Sequence, residues 1–157
     1  MSDPRPPITG PTASLPIIEA LVKAIRAALD ASSLPLVTGL RNRIFEGFAA
    51  YNAKYPFIVW QLIYDPYLYT WGSAMHQAGF DVTVFADNPV DARNIDQLLL
   101  NALQDASLEV EGGQTTLICR RIADLASKDA DQEGHPYYQI GGTYEVWTDQ
   151  LLPRPAE

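Results

Sequence analysis

The run Phe57-Ile-Val-Trp-Gln-Leu-Ile-Tyr64 constrains this chain more than any other segment. Read with a period of two, both of its faces are largely apolar, and β-branched and aromatic residues dominate it. Such a strand belongs in the middle of a sheet. One face would lie on helices, and the other would be buried less completely or used by a neighbour. Asp65-Pro66 ends the run.

Two amphipathic helices are available to cover it. The first is expected from about Leu15 to Leu29, with Ser14 as its cap, because Ile18, Leu21, Val22, Ile25 and Leu29 recur at the helical period. The second opens at Asn88-Pro89-Val90-Asp91. Asn88 can cap, Pro89 suits the first helical position, and Asp91 puts negative charge beside the exposed N–H groups. That helix should run to about Gln104, with Ile95, Leu98, Leu99, Ala102 and Leu103 on its apolar face.

Further strands are expected near Arg43–Phe45, at Phe80–Ala86, from about Thr115 to Leu125, and between Tyr137 and Trp147. Tyr67, Tyr69 and Trp71, spaced by two, place one aromatic face on an extended segment ending at Gly72. Strict alternation would put Cys119, Arg121, Ala123 and Leu125 on one face of their strand, and Arg120, Ile122 and Asp124 on the other. Ser127 to Pro136 reads as a polar connection, and Gly141-Gly142 signals a bend, a bulge or a close backbone approach. The fold class is therefore α+β: a mainly antiparallel sheet of four to five strands with two amphipathic helices packed on one face. Proline-rich residues 1–14 read as a flexible arm, 15–148 as one domain, and 149–157 as a flexible C-terminal tail.

Catalytic chemistry is thinly supplied. The single cysteine, Cys119, has strand neighbours and no nucleophile elbow, while His76 and His135 belong to no metal-ligand spacing. Asp129-Ala-Asp131-Gln-Glu133-Gly134 begins like a calcium loop, but the twelfth position is Ile140 and Pro136 intrudes. No catalytic residue, metal or cofactor is assigned. A net charge of −8 opposes non-specific binding to nucleic acid or anionic membranes. No apolar run approaches the roughly 18 residues of a membrane span.

In serial order, four pieces resemble the tail completion, or tail terminator, family of tailed bacteriophages and prophages. These are the helix Ile17 to Leu29 followed by Arg43-Ile-Phe; Tyr55-Pro-Phe-Ile-Val-Trp-Gln61; Phe80-Asp-Val-Thr-Val-Phe85 running into a helix through Asp91-Ala-Arg93; and Tyr144-Glu-Val-Trp147. Each piece alone is generic, and their order and spacing carry the likeness. Residues 1–14, Tyr67 to Trp71 and Gly141-Gly142 have no obvious family equivalent.

The resemblance implies a structural subunit, not an enzyme. It would form a hexameric ring at the head-proximal end of a phage tail, ending tube polymerisation and joining the tail to the head connector. Its partners would be further copies of itself, the tail tube protein and the connector or stopper. DNA would pass through the lumen without specific binding, and the protein would reside in the virion tail after assembly in the host cytoplasm. Another head–tail adaptor or stopper remains an alternative reading, as does a small non-viral ligand-binding protein or enzyme. For a ring, Trp60, Tyr67, Tyr69, Trp71 and Phe85 are the candidates for subunit packing, from apolar area left over once the helices are placed. Asp129, Asp131 and Glu133 are the candidates for a loop facing the lumen or the adjoining ring.

Overall fold

A computed structural model describes residues 14–49, 53–64, 67–70, 73–106, 108–110, 114–115 and 118–151. Helix α1 spans Ser14–Ala31, and single 3-10 turns at Pro35–Val37 and Leu40–Asn42 lead into β1, Ile44–Glu46. Strands β2 (Phe57–Tyr64), β3 (Tyr67–Thr70) and β4 (Ser73–Ala86) follow, then helix α2 (Pro89–Leu103). The short β5 (Glu109–Val110) and β6 (Gln114–Thr115) precede two long strands, β7 (Ile118–Ala130) and β8 (Pro136–Leu151).

The start of α2 follows from its cap. The Asn88 side chain accepts a hydrogen bond from Val90 N–H at 2.9 Å, satisfying a donor that the first helical turn leaves unpaired. One stripe of each helix then turns inward: Leu21, Ile25 and Leu29 of α1, and Ala92, Ile95, Leu99 and Leu103 of α2.

The principal sheet has six strands in the order β1-β2-β4-β8-β7, with β3 pairing β4 off that path. β1 runs parallel to β2, and every other pairing in this sheet is antiparallel. β5 and β6 form a separate antiparallel pair. Alternation along β4 assigns the faces. Ala78, Phe80, Val82, Val84 and Ala86 are buried under the helices, joined by Ile58, Trp60, Tyr144, Val146 and Cys119 in one core. Asp81, Thr83 and Phe85 point to the opposite face and are half-buried.

Three expectations change. β4 begins seven residues before Phe80, at Ser73, and β7 continues to Ala130. The polar stretch after Leu125 is thus mostly strand, and the turn is confined to residues 131–135. Backbone pairing with the long β8 sustains these extensions, because a ladder hydrogen bond needs no apolar side chain. β8 likewise takes in residues 149–151, assigned above to the tail.

The third change is in β7. Arg121 pairs with Tyr144 and Ala123 with Thr143, so Ile122 is an extra residue in the ladder. Such a bulge reverses the alternation beyond it. Cys119 and Arg121 therefore lie on the helix face, whereas Ala123 and Leu125 fall on the other.

The glycine pair sits beside this bulge. A Cβ at Gly141 would collide with the Val82 carbonyl and with Thr83 Cα, and one at Gly142 would collide with the Arg121 guanidinium. Close approach, one of the three readings of Gly141-Gly142, is what both positions require.

Candidate functional site

The helices cover one sheet face and leave the other open. At one end of the open face the register sets Phe57 opposite Phe85, with their rings stacked 4.9 Å apart. Tyr137 stacks on Phe85 at 6.2 Å, and Tyr55 stacks on Phe57 at 5.5 Å and on Tyr137 at 6.1 Å. Phe45 of β1 meets Phe57 edge-on at 6.0 Å. Four strands and the segment before β2 thus supply one aromatic cluster, in which offset and edge contacts are favourable geometries.

The acidic hairpin turn lies against this cluster. Asp129 pairs with Tyr137 at the end of the β7–β8 ladder, and Asp131 follows directly. Burial raises the Tyr55 hydroxyl above its ordinary pKa, and the charge of nearby Asp131 raises it further. Asp131 also shapes the turn: its Oδ1 accepts from the N–H groups of Glu133 and His135, at 2.9 Å each. The His135 N–H bond is the main influence holding the Asp131 carboxyl below its usual range. Asp129 and Glu133 are exposed; Asp129 Oδ1 accepts from Ala130 N–H at 2.8 Å, and Glu133 Oε2 lies 3.5 Å from His135 Nδ1.

Further along the open face, Glu145 accepts from Tyr64 Oη at 2.5 Å and from Trp147 Nε1 at 2.6 Å. Burial alone would raise its pKa, but hydrogen bonds from Tyr64, Gln77 and Trp147 outweigh it and lower the carboxyl. Burial and the Glu145 bond push Tyr64 up to about 12. Gly79 makes room for the arrangement, since a Cβ there would strike the Tyr64 ring.

The residues singled out from sequence separate here. Phe85 lies on the open face, within the stacked cluster. Trp60 does not: its side chain is 6% exposed, points under the helices and meets the Phe80 ring edge-on at 6.4 Å. The expectation that it packs against another subunit is corrected, because register places Trp60 beside Val82 on the core face. The β3 backbone sets Tyr67 and Tyr69 opposite His76 and Ala74, while Trp71 lies outside the described residues. Tyr55, Phe57 and Tyr137 were missed. Their signal was partial, since Phe57 shares its strand face with Val59, but only cross-strand register brings the rings together.

The family model of "Tail completion protein gp17" matches residues 23–149, most of the chain. The chain belongs to the tail completion protein family. Tail completion proteins are structural, non-catalytic components of the tail, with a terminating or joining role, and they interact with tail tube and head-joining components. No curated protein matches.

Among solved structures, a chain in the virion of a native gene transfer agent particle superposes with a TM-score of 0.61 at 12% identity, covering 89% of this chain and 99% of that one. A second solved chain superposes with a TM-score of 0.56, also at 12% identity, covering 91% and 99%. At such identity the likeness is one of fold.

The chemistry of this tail completion chain fits a binding surface. Cys119 is buried on the helix face, and burial pushes its thiol up to about 12, far from a reactive thiolate. Among the described residues, no group of His, Cys, Asp and Glu could hold a metal ion, and no helix is long and apolar enough to cross a membrane. The open face offers stacked rings beside an acidic turn, and its strongest polar group, Glu145, is already satisfied from within the chain.

Proposed function

We propose that this tail completion protein closes into a hexameric ring on the end of the tail tube, stops its growth and presents the opposite surface to the head connector. One observation carries the proposal: a sheet face bearing the Phe57–Phe85–Tyr137 cluster, uncovered by either helix and bordered by an exposed acidic turn. Apolar rings on a sheet face that no helix covers are what a subunit or tube contact buries. Phe85, with Tyr67, Tyr69 and Trp71, supplies subunit packing in this reading, while Trp60 supports the sheet from within. The hairpin end carrying Asp129, Asp131 and Glu133 faces the lumen or the adjoining ring. There, like-charge repulsion keeps passing DNA from sticking, an effect that salt weakens.

The deciding experiment measures the mass of the purified protein across a concentration series, alone and with tail tubes from the same source. A closed hexamer, or a monomer that binds tube ends and halts their growth, supports the proposal. A monomer indifferent to tubes overturns it.

A further inference from the structure

The chemistry around the aromatic cluster narrows what can cover it. Phe57 is buried in the stack, whereas Tyr55, Phe85 and Tyr137 are half-buried and keep ring surface open. Carboxylates border these rings. Asp129 pairs with Tyr137 in the β7–β8 ladder and so shares its face, while Lys128 turns to the other face and lies over the Tyr138 ring. Burial first, and then the charges of Asp131 and Asp87, raise the Tyr55 hydroxyl, so both carboxylates stand near that ring. Asp87 and Asp129 are exposed, and among the described residues neither is paired with a cation. Lys54, next to Tyr55 in the chain, leaves the border acidic in balance.

Aromatic rings with an acidic border suit a polyproline helix that carries arginine. Its prolines are rigid before binding and pack on ring faces, and the guanidinium pairs with carboxylates. This chain carries such a segment. Residues 1–13, outside the described residues, include Pro4-Arg5-Pro6-Pro7-Ile8. With three residues per turn, Pro4 and Pro7 would share one face of a polyproline helix, Arg5 and Ile8 the next, and Asp3 the third. Pro153-Arg154-Pro155 has no second proline at that spacing, and Glu157 follows it.

We propose that Pro4–Ile8 of one copy docks on the Tyr55, Phe85 and Tyr137 rings of the next, with Arg5 paired to Asp129. This rests on the ring reading above and names what covers the cluster. A neighbouring copy supplies the segment because residues 1–13 lead into α1, which packs on the helix face, whereas the cluster lies on the opposite face of the sheet. The six steps from Ile8 to Ser14 span about 20 Å when extended, a reach that crosses from one copy to the next. Each copy then donates one segment and receives one, the head-to-tail contact that closes a ring.

The test uses the full chain under the conditions in which the wild type assembles, alone or on tube ends. A photoreactive benzoylphenylalanine is placed at position 8 in an equal mixture of isotope-labelled and unlabelled chains. Cross-links should reach peptides containing Tyr55, Phe85 or Tyr137, and pairs of one labelled with one unlabelled chain should be present. Arg5→Glu and Asp129→Lys, each verified as folded by circular dichroism, should each weaken assembly about tenfold. Both changes in one chain should restore it. Pro4→Gly with Pro7→Gly should weaken assembly as well, by removing the rigid face.

Arg5→Glu chains that assemble like the wild type overturn the docking while leaving the ring reading standing. So does a charge-reversed pair that assembles no better than its single variants. Cross-links confined to single chains would show the segment folding onto its own copy and overturn the exchange; cross-links only to other surfaces, the tube protein included, overturn it too. If the wild type itself assembles neither alone nor on tubes, the ring reading falls, and the exchange with it.

Discussion

Arg121 donates from a single nitrogen to both carboxylate oxygens of Asp96, at 3.2 and 3.0 Å, tying β7 to α2. The pair is buried, with side chains 7% and 13% exposed. The guanidinium also donates to the Gly141 carbonyl, lies over the Tyr144 ring, and sets Nε 2.9 Å from Asp124 Oδ1. Its face of the strand is set by pairing with the buried Tyr144, since the ladder is regular up to Arg121 and its alternation reverses only beyond Ile122.

Removing one partner should cost more than removing both. Asp96→Ala leaves a buried guanidinium with only Asp124 for compensation, and unfolding by urea should show a loss of about 3 kcal/mol. The double variant Asp96→Leu with Arg121→Met should fall within about 1 kcal/mol of the wild type, because replacing a buried pair by apolar groups removes its desolvation cost too. Equal losses in the single and double variants would mean the pair is not coupled.

Gly141→Ala should destabilise the sheet. The new methyl meets the Val82 carbonyl and Thr83 Cα, backbone atoms that cannot rotate away. Overpacking of this kind costs about 1–3 kcal/mol. A thermal midpoint unchanged from the wild type would show that β8 shifts freely against β4.

Asn88→Ala removes the side chain that accepts from Val90 N–H at the start of α2. Loss of such a cap costs about 1 kcal/mol, roughly 2–4 °C in the thermal midpoint of a chain this size. Asn88→Asp should retain most of the stability, since its carboxylate can accept the same bond.

Glu145 supplies an acid-sensitive element. Its folded pKa lies below the ordinary 4.5. The stability it contributes is therefore complete above that value and lost as pH falls through the folded one. From about pH 5 to pH 3, the wild type should lose more stability than Glu145→Gln, measured by urea midpoints at each pH. Parallel curves would assign acid sensitivity to other carboxyls. Tyr64 acts at the opposite end. Its pKa of about 12 makes its contribution complete below the ordinary 10.0 and lost as pH rises through the higher value.

Cys119 should be silent towards thiol reagents in the native protein near neutral pH and react fully once the chain is denatured. Burial on the helix face and a thiol pushed up to about 12 both withhold the thiolate. Rapid native labelling would mean that β7 opens readily from β8.

The two helices, the Asn88 cap and the central strand were legible in the sequence because each is a local pattern. An apolar period of 3.6, a capping side chain two residues from its donor, and a run of β-branched and aromatic residues are written within one segment. The opposed environments of Arg120 and Arg121 were also legible, since neighbours on a strand must point apart: one is half-exposed and the other buried against Asp96. What only the tertiary structure decided depends on pairing between distant segments. Trp60 and Phe57 belong to one apolar run, yet the register with β4 sends Trp60 under the helices and Phe57 to the stack with Phe85. One extra residue at Ile122 turns Leu125 outward against the strict alternation of its sequence. A side chain's type is local, but the face it occupies is set by its partner strand, and a single-residue slip in that pairing reverses it.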